Sequence, residues 1–118
     1  ENIEEQIELF FESNDIKDEE AKKYIKDAVL GIEKNKEEIL SNIEKNLKED
    51  WKLSRISKMD LAILKLAIYE IEYKKIPYKI IINEAVNCAK KYGEESSSSF
   101  VNGVLASVVA QMPEEDKK

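Results

Sequence analysis

Histidine is absent from this chain, and cysteine and arginine occur once each, as Cys88 and Arg55. The lack of histidine removes the most common general base and metal ligand, and one cysteine cannot build a zinc site or an internal disulfide. A single cysteine fits a reducing cytosol, so we expect a cytoplasmic protein. These absences weigh against a metal centre and against histidine-dependent catalysis.

Glycine and proline are also scarce, with three and two residues, whereas charged residues make up 37% of the chain. This balance is typical of helices that each bury one stripe, so we predict an all-α fold. The apolar runs are interrupted well before the roughly 18 residues that span a bilayer, and no signal-peptide pattern opens the chain. We expect one domain over residues 1–118, with a frayed, charged tail from Pro113.

The net charge is −6, which by itself repels nucleic acid. The charge is unevenly distributed, because residues 1–50 carry 16 acidic and 8 basic side chains and residues 51–118 carry 9 acidic and 11 basic ones. A polyanion would therefore have to approach the second half of the chain.

Apolar periodicity predicts three helices in the first half. One ends near Asn14, one is capped by Asp18, and one closes near Asp50. Trp51 then begins a short connection. We interpret this tryptophan as a hydrophobic plug at a helix junction, with stacking on a base of a nucleic acid as the alternative.

The segment that follows Ser57 is predicted to be the central helix. Ser57 and Asp60 have the spacing of a capping box, and residues 61–71, LAILKLAIYEI, are apolar nearly all round. Such a helix has to be covered on most sides. Pro77 separates it from a fifth helix that ends at Gly93, whose predicted inward stripe is Ile81, Ala85, Cys88, Ala89 and Tyr92.

The sixth helix is predicted to begin in the serine run at residues 96–99. These serines have no histidine or obvious lysine partner in the sequence, so we interpret them as a loop and helix cap. Gly103 lies inside the helical pattern, where glycine costs about 1 kcal/mol relative to alanine. We interpret it as a point that another backbone approaches closely. No catalytic residue, metal site or cofactor is predicted.

Basic and aromatic residues alternate around the fifth helix. Lysines precede and open it, further lysines close it, and aromatic rings lie between them. Basic groups neutralise phosphates while aromatic rings stack on unpaired bases, as in the recognition of single-stranded RNA. The residues that form this pattern are Lys74, Lys75, Tyr78, Lys79, Lys90, Lys91, Tyr92 and Phe100.

Three stretches of the second half resemble the NusB family of bacterial transcription antitermination factors. They are MDLAILKLAIYEI at 59–71, IPYKIIINEAVNCAKKYG at 76–93 and SFVNGVL at 99–105. Their order, spacing and residue types agree with the family pattern, whereas the first half matches only as amphipathic helices. The resemblance implies an all-helical fold of two small three-helix bundles, without catalysis or a cofactor.

The resemblance also implies partners. Family members bind boxA-type single-stranded RNA together with NusE, a small-subunit ribosomal protein, within the complex that keeps RNA polymerase from terminating early. Tyr69 and Glu70 match the family's Y-E pair and are candidates for binding the ribosomal protein. Family positions and charge together indicate the RNA-binding candidates Lys74, Lys75, Lys79, Lys91, Glu95 and Phe100.

One feature of the family is missing from the printed sequence. Members usually open with an arginine-rich helix that supplies much of the RNA-binding charge, and here about six helices are visible without it. If the protein lacks this helix, we expect weak, salt-sensitive RNA binding and uncovered apolar surface that favours a homodimer. Two alternatives stay open: a module that binds NusE or itself without RNA, and the NusB-like domain of a ribosomal RNA cytosine methyltransferase.

Overall fold

The computed structural model describes residues 2–116, except for the side chain of Glu115, and this part of the chain contains helices and no strand. It confirms the predicted all-α fold with six α-helices. None of the described helices is long and apolar enough to cross a membrane. The helices are α1 (Ile3–Ser13), α2 (Glu19–Lys34), α3 (Lys36–Lys45), α4 (Lys58–Glu72), α5 (Tyr78–Tyr92) and α6 (Ser97–Ala110). Short 3-10 turns occupy Leu53–Arg55 and Glu114–Asp116.

The chain divides into two compact units, residues 1–34 and 35–118. The first unit contains α1 and α2, and the second contains α3 to α6. The helices are therefore grouped as two and four rather than three and three, because α3 packs against α4 and α6. That the whole chain forms one domain stays a prediction.

The first unit is a pair of packed helices. The backbone N–H of Ala21 donates to Oδ2 of Asp18 at 3.3 Å, so Asp18 caps α2 as predicted. Phe11 is buried, and Nζ of Lys22 lies 5.9 Å from the centroid of its ring. The neighbouring Phe10 is 49% exposed, which leaves apolar surface on α1.

Helix α4 is the centre of the second unit, and α3, α5 and α6 all pack against it. Leu64 and Ile68 are fully buried, and each contributes about 1.5–3 kcal/mol through burial. The predicted capping box is half formed, because Oγ of Ser57 accepts from the backbone N–H of Asp60 at 3.1 Å. Leu66 is 39% exposed, so α4 is not covered on every side.

Helix α3 ends at Lys45, earlier than the predicted end near Asp50. Asn46 ends the helix, because its Nδ2 donates to the backbone carbonyl of Asn42 at 2.7 Å and satisfies one of the last free carbonyls. Oδ1 of Asn46 in turn accepts from the hydroxyl of Ser107 at 2.6 Å, which ties the end of α3 to α6.

The predicted inward position of Tyr92 on α5 is wrong, because its side chain is 60% exposed. The buried face of α5 is the narrow row of Ile81, Ala85 and Ala89, spaced at i, i+4 and i+8. Cys88 lies on the flank of that row and is only half buried, and Tyr92 continues the flank. The buried face of α5 is narrow because two of its three residues are alanines, whose small side chains let the helix lie close to its neighbours.

The two glycines around α6 have opposite surroundings. Gly93 ends α5, and a Cβ built there would lie 2.6 Å from Oγ of Ser97 and 2.8 Å from the carbonyl oxygen of Ala89. Close approach therefore requires glycine at 93. A Cβ at Gly103 would meet nothing within 4 Å. The expectation that another backbone approaches Gly103 is wrong, because this face of α6 borders a groove.

The end of the described chain forms a single 3-10 turn, in which the N–H of Asp116 donates to the carbonyl of Pro113 at 2.9 Å. Lys117 and Lys118 lie outside the described residues. The frayed tail therefore stays a prediction.

Candidate functional site

A groove of about 710 Å³ opens in the second unit, and we call it the Trp51 groove. Its walls are the segment that follows α3, the first turn of α4, the α5–α6 turn and one face of α6. The volume lies within the range of small-molecule sites in proteins, about 300–1,000 Å³. Aromatic, basic, acidic and hydroxyl side chains all line it, so it can offer stacking surfaces and hydrogen bonds to the same ligand.

Two aromatic rings form one wall of the Trp51 groove. The ring centroids of Trp51 and Phe100 are 5.2 Å apart with an interplanar angle of 33°. Trp51 is 44% exposed, so it is not a plug at the helix junction, and Phe100 is half buried. Partly exposed ring faces of this kind can stack on the bases of a single-stranded nucleic acid.

A chain of hydrogen bonds forms the polar part of the groove. The backbone N–H of Glu94 donates to Oγ of Ser97 at 2.9 Å, and that hydroxyl donates to Oδ2 of Asp60 at 3.1 Å. Ser97 is 2% exposed and Asp60 is 8% exposed. Oδ1 of Asp60 has no hydrogen-bond partner within residues 2–116. The bonds hold the starts of α4 and α6 together beside the groove.

The serine run is therefore more than a helix cap. No side-chain capping bond is made by Ser96 at the start of α6, whereas Ser97 is buried and joins two helices. Ser99, one turn before Gly103, lines the groove. Gly93 permits this arrangement because any side chain at 93 would collide with Ser97.

The charges on the groove are balanced. The basic residues Lys48 and Arg55 and the acidic residues Asp60 and Glu94 all line it. Both basic side chains are exposed. They can contact phosphates, and a carboxylate that is accessible from the groove can accept hydrogen bonds from a base.

Three of the predicted RNA-binding residues lie at the groove end of α5. Phe100 forms part of the wall, and Glu95 is exposed in the turn between the lining residues Glu94 and Ser96. Lys91 is exposed in the last turn of α5. The structure therefore brings Phe100, Glu95 and Lys91 to one end of the second unit.

The other three predicted lysines lie at the opposite end of α5. Lys74 and Lys75 are exposed in the turn before the helix, and Lys79 is exposed in its first turn. The rise of an α-helix separates Lys79 from Lys91 by about 18 Å. Lys75 instead lines a smaller pocket of about 220 Å³, beside Lys45.

The two predicted partner-binding residues lie near the end of α4. Tyr69 is buried and stacks on Tyr73 with a centroid distance of 5.7 Å, whereas Glu70 is half buried. The hydroxyl of Tyr73 donates to Oε1 of Glu38 at 3.4 Å. Desolvation, followed by the charges of Glu38 and Glu72, raises the pKa of Tyr73 above its usual value.

Sequence reasoning missed Asp60 and Gly103 as parts of the groove and interpreted Trp51 wrongly as a plug. Trp51 did carry a signal, because it is the only tryptophan and lies in a strongly charged stretch, KEDWK. Gly103 also carried one, since a helical glycine needs a reason. For the buried bond between Asp60 and Ser97 the sequence holds no signal, because the two residues are 37 positions apart.

Comparisons with known proteins agree with this fold. The sequence model of the NusB family matches residues 1–110. The chain is 53% identical over 107 residues to the transcription antitermination protein NusB of Acetivibrio thermocellus, covering 90% of this chain and 72% of that protein. It is 47% identical over 106 residues to the protein of the same name from Clostridium botulinum strain Loch Maree, covering 89% and 74%. The solved structure of T. maritima NusB superimposes with a TM-score of 0.77 at 39% identity, covering 84% of this chain and 70% of that one.

Proposed function

The chain belongs to the NusB family, and from this premise we propose that it is a transcription antitermination factor of the bacterial cytoplasm. In this role it binds boxA-type single-stranded RNA together with NusE, as part of the antitermination complex on RNA polymerase that supports ribosomal RNA transcription. Its named relatives are transcription antitermination proteins, and in the proposed role the chain carries out no catalysis.

The observation that carries the RNA-binding proposal is the aromatic pair of Trp51 and Phe100 on the wall of a wide groove. Exposed aromatic faces stack on unpaired bases, and each such base contributes about 1–3 kcal/mol by alanine substitution. Lys48 and Arg55 lie on the same groove, where they can hold the phosphates beside a stacked base.

The lysines at the far end of α5 give the RNA a proposed direction. A strand that contacts both Lys91 and Lys79 has to run along α5 for about 18 Å. Lys74 and Lys75 would then contact phosphates beyond Lys79. Because these lysines are exposed and make no base contact in this proposal, they supply charge rather than sequence preference.

The proposed NusE surface lies on α4. Leu66, Glu70 and Tyr73 are spaced at i, i+4 and i+7, so they share one face of the helix, with Tyr69 beside them. Leu66 is 39% exposed and Tyr73 is 37% exposed. An apolar stripe that carries one carboxylate suits a protein partner better than RNA, which supports the family-based assignment of Tyr69 and Glu70.

Fluorescence anisotropy of a labelled boxA-like RNA tests the proposal, with and without NusE and against a scrambled RNA. We expect NusE to increase the affinity for the boxA-like sequence selectively. Phe100→Ala should weaken binding about tenfold because one stacking surface is lost. Phe10→Ala is the matched control, since Phe10 is an exposed phenylalanine of the first unit. Equal binding of both RNAs with NusE present would contradict the proposal.

A second candidate function is a protein-interaction module that binds NusE, or a second copy of itself, without RNA. The balanced charge of the Trp51 groove favours it, because RNA-binding surfaces are usually basic. In that case Tyr69→Ala and Glu70→Ala would abolish NusE binding, while Phe100→Asp would change nothing. A loss of RNA binding in Phe100→Asp with unchanged NusE binding would exclude this alternative.

A further inference from the structure

A buried hydrogen bond joins the first turn of α6 to the first turn of α4, from the hydroxyl of Ser97 to Oδ2 of Asp60. Ser97 is 2% exposed and Asp60 is 8% exposed. Oδ1 of Asp60 is enclosed by the protein and has no hydrogen-bond partner among residues 2–116. The Ser97 hydroxyl and this oxygen are therefore out of reach of a ligand, and burying a carboxylate with one unpaired oxygen lowers stability. The pair calls for a purpose other than ligand contact or stability.

Both ends of this hydrogen bond are held in place. The backbone N–H of Asp60 donates to Oγ of Ser57 at 3.1 Å, at the start of the central helix α4. The hydroxyl of Ser97 also accepts from the backbone N–H of Glu94 at 2.9 Å. A Cβ at Gly93 would lie 2.6 Å from that hydroxyl, so glycine leaves room for it. One hydroxyl thus ties the turn before α6 to the central helix of the second unit.

The first turn of α6 carries Phe100 and has few other restraints. Helix ends fray when their free N–H groups lack partners, and Ser96 makes no side-chain capping bond here. Phe100 lies three residues after Ser97, within the same turn, and its ring centroid is 5.2 Å from that of Trp51. The position of the Phe100 ring therefore depends on the bond that Ser97 makes.

We propose that Asp60 and Ser97 are positioning residues for RNA binding. Their hydrogen bond fixes the first turn of α6 and so holds the ring of Phe100 beside that of Trp51, where both can stack on bases. The inference rests on the RNA-binding role proposed above and adds two residues that act on the RNA only through Phe100. A stacking surface that is already ordered in the free protein reduces the entropy lost on binding.

A double-mutant cycle with Phe100 tests the proposal, by anisotropy of the labelled boxA-like RNA. Ser97→Ala should weaken binding about three- to tenfold, and by no more than Phe100→Ala does. In the Phe100→Ala background the same substitution should have no further effect, because the ring that it positions is gone. Ser98→Ala is the matched control, since it makes the same change in the same turn at a residue that does not line the groove.

Variants of Asp60 separate positioning from charge. Removing a carboxylate should by charge alone strengthen the binding of a polyanion. Positioning predicts the opposite for Asp60→Ala, which should weaken RNA binding as much as Ser97→Ala. Asp60→Asn lacks the charge but keeps an oxygen that accepts from Ser97, so it should bind RNA at least as tightly as the unaltered chain.

The free protein gives a measurement that does not depend on RNA. Trp51 is the only tryptophan, so acrylamide quenching of its emission reports how well the Phe100 ring covers it. Ser97→Ala should increase this quenching, as Phe100→Ala does, whereas Ser98→Ala should not. Circular dichroism and a cooperative melt check that each variant folds. If Ser97→Ala does not fold, the comparison of Asp60→Ala with Asp60→Asn decides the proposal.

The outcomes separate the positioning role from RNA binding itself. Unchanged RNA affinity in folded Ser97→Ala, or a loss that persists in the Phe100→Ala background, would overturn the positioning role and leave RNA binding intact. Equal weakening by Asp60→Asn and Asp60→Ala would also overturn it, because asparagine keeps the bond to Ser97. If the unaltered chain binds no RNA with or without NusE, the proposed function fails, and this inference fails with it.

Discussion

Replacing Gly103 by alanine is expected to stabilise the second unit. Alanine is favoured over glycine in a helix interior by about 1 kcal/mol, and the added Cβ has no steric cost because it meets nothing within 4 Å. The expected gain in the free energy of unfolding is therefore about 1 kcal/mol, which raises Tm by roughly 4–8 °C for a unit of this size. Urea unfolding followed by circular dichroism measures it.

Gly93→Ala is the matched comparison, since the same substitution there has the opposite sign. Its Cβ would lie 2.6 Å from Oγ of Ser97 and 2.8 Å from the carbonyl of Ala89, and the backbone contact cannot be relieved by rotating a side chain. A loss of about 1–3 kcal/mol is expected. A destabilised Gly103→Ala protein would refute the reasoning, because something would then have to occupy the space beside Gly103. Gly103→Ala should also weaken RNA binding, since the methyl group enters the groove.

The remaining predictions concern α4 and the turn that follows it. Leu64→Ala should lower the free energy of unfolding by about 2–5 kcal/mol because Leu64 is fully buried, whereas Leu66→Ala should lower it by less than about 1 kcal/mol. Denaturant unfolding compares the two variants, and equal losses would contradict the central place of α4. Ultraviolet titration should show Tyr73 ionising above its ordinary pKa of 10.0, and Glu38→Gln should lower that pKa only in part, since burial is the larger cause. Because Tyr73 ionises at a higher pH in the folded protein than in the unfolded chain, the raised pKa contributes stability that is complete below pH 10.0 and is lost as pH rises through the folded pKa. A Tyr73→Phe protein that loses the same stability at alkaline pH would contradict this account.

The sequence predicts the helices well because their signals are local. The start of α2 follows directly from the N-cap at Asp18, because the bond from Ala21 to Asp18 is made within three residues. The cap at Ser57 is equally local. The end of α3 was misplaced because the asparagine that ends it, Asn46, is held partly by Ser107 of α6, and such a contact has no trace in a periodic pattern.

The candidate site was predictable only in its parts. Phe100 was found because a family motif contains it, and the lysines were found because they are basic. The length of α5 decides which of these residues lie close together, because it separates Lys79 from Lys91 by about 18 Å. Trp51 and Phe100 are 49 residues apart in the chain and become neighbours only when α6 packs beside the segment after α3.

The role of Gly103 shows how an incorrect prediction can still identify a position of interest. The helical cost of glycine indicated correctly that the residue needs a reason. Close backbone packing is the common reason, and at Gly93 it is the right one. At Gly103 the neighbouring space is open and borders the Trp51 groove, so close packing does not account for the glycine.

The central claim, that RNA occupies the Trp51 groove, is tested most directly by ultraviolet crosslinking of a boxA-like RNA to the unaltered protein, followed by mass spectrometry of the crosslinked peptides. We predict crosslinks in the peptides that carry Trp51 and Phe100, and their loss when unlabelled RNA competes. Crosslinks confined to residues 74–79 or to the first unit would contradict the claim.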